Sequence, residues 1–474
     1  MPYTSTRDAR HPPHHLPFDE TLLAGLAPDG GLFVPTAWPK LSAEELTSFR
    51  GKPYAEIAAR VMAPFIDGTI APRDWERMVA DAYRDFDDPA VAPLRELGDG
   101  LFLLELFHGP TLAFKDFALQ LVGRLFDHVL KQRRARATII GATSGDTGSA
   151  AIAACRDRDA IDIFMLYPKG RISDIQRRQM TTVASPNVHA IAIDGTFDDC
   201  QDLVKAMFAD ARFRAELALS AVNSINWARI MAQIVYYVAS AAALGAPERG
   251  VAFAVPTGNF GNVYAAHGAR RMGLPISQLV IGTNRNDILA RFINDGAMTI
   301  GAVEPSLSPS MDIQVSSNFE RLYFELAGGD AARVAAAMAA FRRDGTLPAS
   351  RAEWHQAAAL FAAQRVDDAG ILAEIAATYR ATGVILDPHS AVAVAAAKAK
   401  RADRATPMVA LATAHPAKFP EAVERAIGKK PEMPVRLAGV LTAPERAPAL
   451  ANDLGAVEDF IRAHASAVLA GAAS

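Results

Sequence analysis

Lys115 is the residue of this sequence whose surroundings most clearly suggest chemistry. It lies between Phe114 and Phe117, after a Gly109-Pro110 turn, and apolar residues at every fourth position from 117 to 129 predict a helix. An apolar setting lowers the pKa of a lysine because lost hydration disfavours the ammonium form. The neutral amine can then attack an aldehyde and form a Schiff base. The alternative is a surface lysine whose stem covers a helix end.

A glycine-rich segment, PTGNFGN at residues 256–262, follows the apolar run Val251–Val255 and precedes a predicted helix. Glycines let the backbone turn tightly and expose its N–H groups to an anion, and the helix N-terminus adds partial positive charge. The segment lacks the spacing of a dinucleotide loop or a P-loop, so it favours a compact phosphate monoester without a nucleotide. The alternative is a tight connection between strand and helix.

A second such segment, GATSGDTGS at residues 141–149, combines hydroxyls, glycines and one carboxylate. Hydroxyls and backbone N–H groups of this kind can bind a carboxylate or a phosphate. No lysine follows, so it is not a P-loop. The alternative is that Asp146 simply caps a helix.

Short apolar runs alternate with amphipathic stretches and must position these loops. Such strands predict buried parallel sheets in an α/β fold. Ligands in these sheets bind beyond the carboxyl ends of strands, so we expect the site at loops 141–149, 256–262 and 413–419. The strand candidates are Ala137–Ile140, Ile161–Leu166, Val188–Ile193, Val251–Val255, Gln278–Gly282 and Met408–Ala412.

Composition restricts the class of protein. A length of 474 residues predicts two or three domains, and a net charge of −3 gives no indication of nucleic acid or an anionic membrane as partner. Cys155 and Cys200 belong to no metal-ligand pattern, so we expect neither a metal site nor a disulfide. The first fifteen residues lack a signal-peptide core, and no apolar stretch reaches about 18 residues. We therefore expect a cytoplasmic protein.

The segment HGPTLAFKDF (108–117) resembles the cofactor-lysine segment of threonine synthases, a family of pyridoxal-phosphate (PLP) enzymes. TSGDTGSAA (143–151) is similar to the substrate-carboxylate loop of fold-type II PLP enzymes, and PTGNFGN to the cofactor-phosphate loop. The matches run in family order from residue 3 to residue 419 and resemble the longer branch found in enterobacteria and fungi. The others are YTSTR (3–7), GLAPDGGLFVP (25–35), YPKGRIS (167–173), NSINWARI (223–230), MDIQVSSNFERL (311–322), LDPHSAVA (386–393) and TAHPAKF (413–419).

The resemblance implies a fold-type II enzyme with two α/β domains of mostly parallel sheet. Residues 1–95 are then an N-terminal subdomain. Residues 96–138 and 240–474 form a large PLP-binding domain with a helical insertion at about 329–382. Residues 139–239 form a small domain that carries the substrate-carboxylate loop.

The resemblance also implies roles for individual residues. Lys115 would hold PLP as a Schiff base, and the hydroxyl of Thr413 would pair with the pyridine nitrogen, leaving the ring less electron-withdrawing than an Asp-paired pyridinium does. The PLP phosphate would be bound by Gly258, Asn259, Phe260, Gly261 and Asn262. The substrate carboxylate and amine region would be bound by Ser144, Gly145, Asp146 and Thr147. Candidates for the substrate phosphate are Lys169, Arg171, Asn226, Arg229, Ser316, Asn318 and Arg321.

The reaction implied by the resemblance converts O-phospho-L-homoserine and water to L-threonine and phosphate. Lys115 would act as acid and base in turn, which requires a pKa near neutrality and exclusion of bulk water. One alternative is a related PLP lyase, such as a serine/threonine dehydratase, which would share the fold and Lys115. Another is a binding module that keeps the scaffold without activity. We expect a small-molecule substrate and a monomer or homodimer.

Overall fold

The computed structural model describes residues 1–221 and 223–466, which form two compact units. The first unit comprises Met1–Leu22, Leu26–Phe114 and Ser224–Glu432. The second comprises Leu23–Gly25 and the described residues of 115–223 and 433–466. Among the described residues, none of the helices is both long and apolar enough to cross a membrane.

The strands and helices alternate along much of the chain, as the sequence predicts. The strands are β1 (Tyr3–Ser5), β2 (Phe33–Pro35), β3 (Leu94–Gly98), β4 (Leu101–Glu105), β5 (Ala137–Ala142), β6 (Ile161–Pro168), β7 (Val188–Asp194), β8 (Leu219–Ser220), β9 (Val251–Pro256), β10 (Ile276–Thr283), β11 (Phe361–Arg365), β12 (Met408–Ala412) and β13 (Ala449–Ala451). The α-helices are α1 (Phe18–Ala24), α2 (Ala43–Ser48), α3 (Tyr54–Ile66), α4 (Pro72–Tyr83), α5 (Lys115–Gln132), α6 (Asp146–Cys155), α7 (Asp174–Thr181), α8 (Phe197–Ala209), α9 (Ala211–Glu216), α10 (Trp227–Ala243), α11 (Gly261–Arg271), α12 (Ile288–Asp295), α13 (Phe319–Leu326), α14 (Ala331–Asp344), α15 (Arg351–Leu360), α16 (Asp368–Thr382), α17 (Pro388–Lys400), α18 (Pro420–Ile427), α19 (Val435–Thr442) and α20 (Leu454–His464). Two short 3-10 helices span Pro309–Met311 and Pro416–Lys418.

The first unit contains a six-stranded sheet in the order β11-β10-β9-β12-β4-β3. Its strands are parallel except β3, which runs antiparallel to β4 at the edge. Every residue of β9 and β12 is buried, which is why both read as continuous apolar runs. Helix α17 packs closely on this sheet, since a Cβ added at Gly282 would lie 2.9 Å from Val392 Cγ1. The strands predicted at 251–255, 278–282 and 408–412 are confirmed.

The second unit contains a five-stranded parallel sheet in the order β13-β7-β6-β5-β8. The predicted strands at 137–140, 161–166 and 188–193 are confirmed. Helices α5 and α6 pack tightly, because a Cβ added at Gly123 would lie 2.4 Å from the carbonyl oxygen of Ala154. This contact explains the small residues of α6 and fixes the helices that begin at Lys115 and Asp146.

The segment 329–382, expected to be helical, contains a strand. Helix α15 ends at Leu360, and β11 then pairs in parallel with β10 from Phe361 to Arg365. Phe361 and Ala363 are buried and alternate with less buried neighbours, which is the period of a strand. The alanine-rich composition continues from α15 into β11, so the sequence does not show where the helix ends and the strand begins.

The compact units group some segments differently from the expected domains. The N-terminal 22 residues and residues 26–95 lie in the first unit. Helix α5 lies in the second unit, although residues 96–138 were assigned to the large domain, and the described residues of 433–466 also lie in the second unit. The three-part division of the chain remains a prediction.

Candidate active site

Lys115 is the first residue of α5 and is buried, with 8% of its surface exposed. The alternative of a surface lysine is therefore wrong. Its Nζ lies 3.4 Å from Oδ2 of Asp146, which is itself buried at the start of α6. Gln176 Nε2 donates to the other oxygen of Asp146 at 2.9 Å. The close packing of α5 and α6 thus places an oriented carboxylate beside the amine.

The loop between β5 and α6 has a fixed backbone. The Thr143 hydroxyl accepts the N–H groups of Gly145 and Gly148 at 3.0 and 2.8 Å. Gly145 has φ +138°, and a Cβ there would lie 2.4 Å from Gln176 Cδ, so only glycine fits. The N-cap of α6 is Gly145 with no side-chain cap, so the alternative that Asp146 merely caps the helix is wrong.

Two hydroxyls of this loop are available to a ligand. Ser144 is exposed and Thr147 is half-buried. Within residues 1–221 and 223–466, neither hydroxyl makes a hydrogen bond. With the N-terminus of α6 behind them, they can bind an anionic group such as a carboxylate.

The glycine-rich loop of the first unit is anchored from one side. Ser316 Oγ donates to the carbonyl of Gly258 at 2.7 Å, and the N–H of Asn318 donates to the carbonyl of Asn259 at 3.0 Å. Phe260 has a left-handed backbone, φ +66°, and its ring lies 5.4 Å from that of Phe319. These contacts turn the chain so that α11 begins at the next residue without a side-chain cap, leaving its first N–H groups for a ligand.

Asn262 carries the clearest indication of a missing acceptor. The hydroxyls of Tyr236 and Tyr237 donate to its Oδ1, and Tyr237 does so at 2.7 Å. Its buried Nδ2 has no hydrogen-bond partner among the described residues. A buried amide group without an acceptor is costly, and an anion at the start of α11 would supply one. The loop therefore fits the phosphate of PLP.

Thr413 follows β12 and is held by its backbone. Its N–H donates to Ser390 Oγ at 3.2 Å, and its carbonyl accepts the N–H of Phe114 at 2.9 Å. In the part of the chain that the structure describes, its hydroxyl makes no hydrogen bond. The hydroxyl is therefore available to a ring nitrogen, while the bond to Phe114 ties this strand end to the residue before Lys115.

Three of the predicted phosphate ligands make hydrogen bonds that hold the backbone: Arg321, Asn318 and Asn226. Arg321 is fully buried, and its Nε donates to the carbonyl of Phe33 at 3.0 Å. Its other nitrogens donate to Asn318 Oδ1 and to the carbonyl of Ile225. Asn226 caps α10 through the N–H of Ala228 at 3.0 Å. Burial lowers the pKa of Arg321 to about 10.

Three cations among the predicted phosphate ligands differ sharply in their surroundings. Lys169 is exposed and pairs with Asp194 at 3.0 Å, and Arg171 is exposed. Arg229 is 97% buried, yet its Nε and Nη1 have no acceptor among the described residues. Burial lowers the pKa of Arg229 to about 10. An unpaired buried guanidinium of this kind is suited to an anionic ligand.

Some residues near the site were not predicted from the sequence. Gln176, which orients Asp146, and the tyrosine pair on α10 carry no sequence signal that points to them. In the sequence, Asp387, His389 and Ser390 stand out only as part of the motif at 386–393. The Asp-Pro sequence at 387–388 is a helix-start signal, and it could have indicated that Asp387 accepts hydrogen bonds at the start of α17.

Family comparisons agree with this geometry. A model described as pyridoxal-phosphate dependent enzyme matches residues 89–365. Models described as threonine synthase N terminus and threonine synthase, C-terminal match residues 2–83 and 390–461. The sheets, the buried Lys115 and the first match together make the chain a PLP-dependent enzyme of fold type II.

Relatives extend over nearly the whole chain. A threonine synthase of Pseudomonas aeruginosa is 54% identical over 465 residues, covering 98% of each chain. The PLP-bound threonine synthase of Brucella melitensis aligns with a TM-score of 0.96 at 51% identity, covering 98% of this chain and 100% of that one. The yeast enzyme aligns with a TM-score of 0.92 at 38% identity, covering 98% of each chain. The chain belongs to the threonine synthase family.

Proposed function

We propose that the chain converts O-phospho-L-homoserine and water to L-threonine and phosphate. The proposal is carried by the buried Lys115, whose Nζ lies 3.4 Å from Asp146 Oδ2, in a chain that matches threonine synthases over 98% of its length. The dehydratase alternative is not favoured, because the relatives that match over this length are threonine synthases.

Three groups of residues have the chemistry that the three parts of the cofactor require. Asn262 Nδ2 and the first N–H groups of α11 would hold its phosphate, the Thr413 hydroxyl its pyridine nitrogen, and Lys115 its aldehyde. PLP bound to an amino acid withdraws electrons from Cα and stabilises the negative charge left when a proton departs. The residues of the chain supply the orientation and the proton transfers.

Lys115 is placed to move protons at Cα and to return them. Because the amine and Asp146 are both buried, bulk water does not compete for these protons. Asp146 Oδ2 can share a proton with Nζ, and Gln176 keeps that carboxylate in place. We therefore propose that Asp146 acts with Lys115 rather than binding the substrate carboxylate. Two carboxylates side by side would repel each other.

The anionic ends of the substrate need different partners. The hydroxyls of Ser144 and Thr147 and the N–H groups at the start of α6 suit the substrate carboxylate. Of the residues predicted to bind the substrate phosphate, one has the burial and the donors that this role requires. We assign the substrate phosphate to Arg229, because its guanidinium is buried and two of its nitrogens have no acceptor in the part of the chain that the structure describes. Asn226 instead caps α10, and Asn318 and Arg321 donate to the carbonyls of Ser224 and Ile225 just before that helix.

We also infer a cytoplasmic location and retain the expectation of a monomer or homodimer. The location is supported by Cys155 and Cys200, which are both buried and unbonded to each other. Burial raises the pKa of Cys155 to about 12 and that of Cys200 to about 11, so neither thiol is suited to redox chemistry.

The test is release of phosphate and threonine from O-phospho-L-homoserine by the purified protein, beside two variants. Lys115→Ala removes the proposed catalytic amine. Lys131→Ala is the matched control, because Lys131 lies on the same helix but is exposed and pairs with Asp127. We expect equal amounts of both products from wild type and Lys131→Ala, and none from Lys115→Ala. Absence of products from wild-type protein that shows the PLP absorbance would overturn the proposal.

A further inference from the structure

The start of α17 contains a buried carboxylate with more partners than a helix cap needs. Asp387 is fully buried, and its Oδ1 accepts both the N–H and Nδ1 of His389, each at 2.9 Å. Its Oδ2 accepts the N–H of Ser390 at 3.2 Å and the Ser390 hydroxyl. The backbone bonds are ordinary capping bonds. The two side-chain bonds extend the network away from the helix.

One arm of this network ends at Thr413. The Ser390 hydroxyl donates its proton to Asp387, so its oxygen accepts the N–H of Thr413 at 3.2 Å. The carbonyl of Thr413 in turn accepts the N–H of Phe114, whose neighbour in the chain is Lys115. This arm therefore fixes the residue proposed to meet the pyridine nitrogen and the backbone of Phe114.

The other arm ends behind the phosphate loop. Nε2 of His389 faces the N–H of Ser310 at 3.3 Å. A backbone N–H can only donate, so Nε2 is unprotonated and Nδ1 carries the proton that Asp387 accepts. The carbonyl of Ser310 lies 3.1 Å from where a Cβ on Gly258 would be, so this segment supports the loop from behind.

We propose that Asp387 is a positioning residue that sets the spacing of the cofactor anchors through two arms. The Ser390 arm fixes the ring-nitrogen end and the His389 arm fixes the phosphate end. This inference rests on the proposed function but is read out by cofactor binding rather than by threonine formation. A buried charge strengthens each hydrogen bond that it accepts, which explains why a charged aspartate is used here.

Asp367 provides the comparison that separates this role from capping. It is the N-cap of α16 in the same unit, but it is exposed, and its carboxylate accepts the N–H of Gly370 at 2.9 Å. Asparagine caps a helix about as well as aspartate, so the exchange in either position keeps the cap. Asp387→Asn keeps only one acceptor oxygen, so it can accept from His389 Nδ1 or from the Ser390 hydroxyl but not from both. Asp367→Asn keeps the one oxygen that its cap bond needs.

The two arms predict different signatures in cofactor titrations. His389→Leu keeps the contact with the Phe419 ring, which lies 5.0 Å away, but leaves the N–H of Ser310 without an acceptor. We expect it to raise the Kd for PLP about tenfold and to leave the Kd for pyridoxal, which has no phosphate, unchanged. We expect Ser390→Ala to raise both constants by the same factor and to shift the absorbance maximum of the bound cofactor.

The full test titrates the purified, cofactor-stripped proteins with PLP and with pyridoxal and records the absorbance of each complex. Asp387→Asn should show the signature of at least one arm, because its single amide oxygen cannot accept from both side-chain donors, and Asp367→Asn should match wild type. The proposal is overturned if Asp387→Asn binds PLP with wild-type affinity and spectrum. It is also overturned if the two arms give identical effects, because both would then reflect only the stability of α17. Failure of wild type to bind PLP would instead refute the proposed function.

Discussion

Replacement of the buried Arg229 should make the cofactor-free protein more stable and should raise the KM of the enzyme for its substrate. Its Nε and Nη1 have no acceptor among the described residues, and burial lowers its pKa to about 10. The pKa of Arg229 is lower in the folded state than in the unfolded state. The loss of stability caused by burying its charge is therefore fully present at neutral pH and is relieved only as pH rises above about 10. The lowering corresponds to about 3 kcal/mol. Met has a similar length and no charge, so Arg229→Met should recover about 1–3 kcal/mol after some loss of packing.

The matched control is Arg321→Met. Arg321 is as buried as Arg229, but its three nitrogens donate to Phe33, Asn318 and Ile225. Burial lowers the pKa of Arg321 by as much as that of Arg229, so its removal relieves a similar penalty. It also leaves three buried acceptors unpaired, at about 1–3 kcal/mol each, so we expect a net destabilisation of about 3 kcal/mol. Urea unfolding of the cofactor-free proteins would measure both changes, which should have opposite signs.

Activity completes the test of Arg229. If it binds the substrate phosphate, Arg229→Met should raise the KM for O-phospho-L-homoserine about 10–100-fold and leave the Kd for PLP unchanged. Inhibition by inorganic phosphate should weaken by a similar factor in the PLP-loaded enzyme. An Arg229→Met variant that is destabilised as much as Arg321→Met, with wild-type KM, would refute the reasoning.

Three further changes test separate parts of the structure. Gly145→Ala should lower kcat at least tenfold with PLP affinity retained, because its Cβ would displace Gln176, and an unchanged kcat would argue against the fixed loop. Asp146→Asn should lower kcat about 100-fold and alter the pH–rate profile, which steady-state assays across pH would reveal. Burial lowers the pKa of His415 to about 4, so the folded state disfavours its protonation and wild type should lose up to about 3 kcal/mol as pH falls from about 6.5 to 4. His415→Asn should flatten this dependence in urea unfolding, and an equally steep curve would exclude His415 as its source.

Local sequence patterns were sufficient to predict much of the fold. The runs that became β5, β6, β9 and β12 consist mostly of apolar residues and are largely buried on both faces, as a central parallel strand requires. The loops after such strands were therefore foreseeable as a site. The strand β11 was missed because its alanines suit a helix, and only pairing with β10 made it a strand.

The sequence by itself determined the lysine, the glycine-rich loops and the sheets, because residue type and spacing already restrict backbone shape and chemistry. Only the tertiary structure decided the partners of those residues. Asp146 meets Gln176 across 30 positions of chain, and Ser390 meets Thr413 across 23. Whether a buried arginine has acceptors, like Arg321, or has none among the described residues for two of its nitrogens, like Arg229, depends on groups that packing brings from distant segments. Such long-range contacts follow from the packing of whole helices and sheets, which no local period of the sequence encodes.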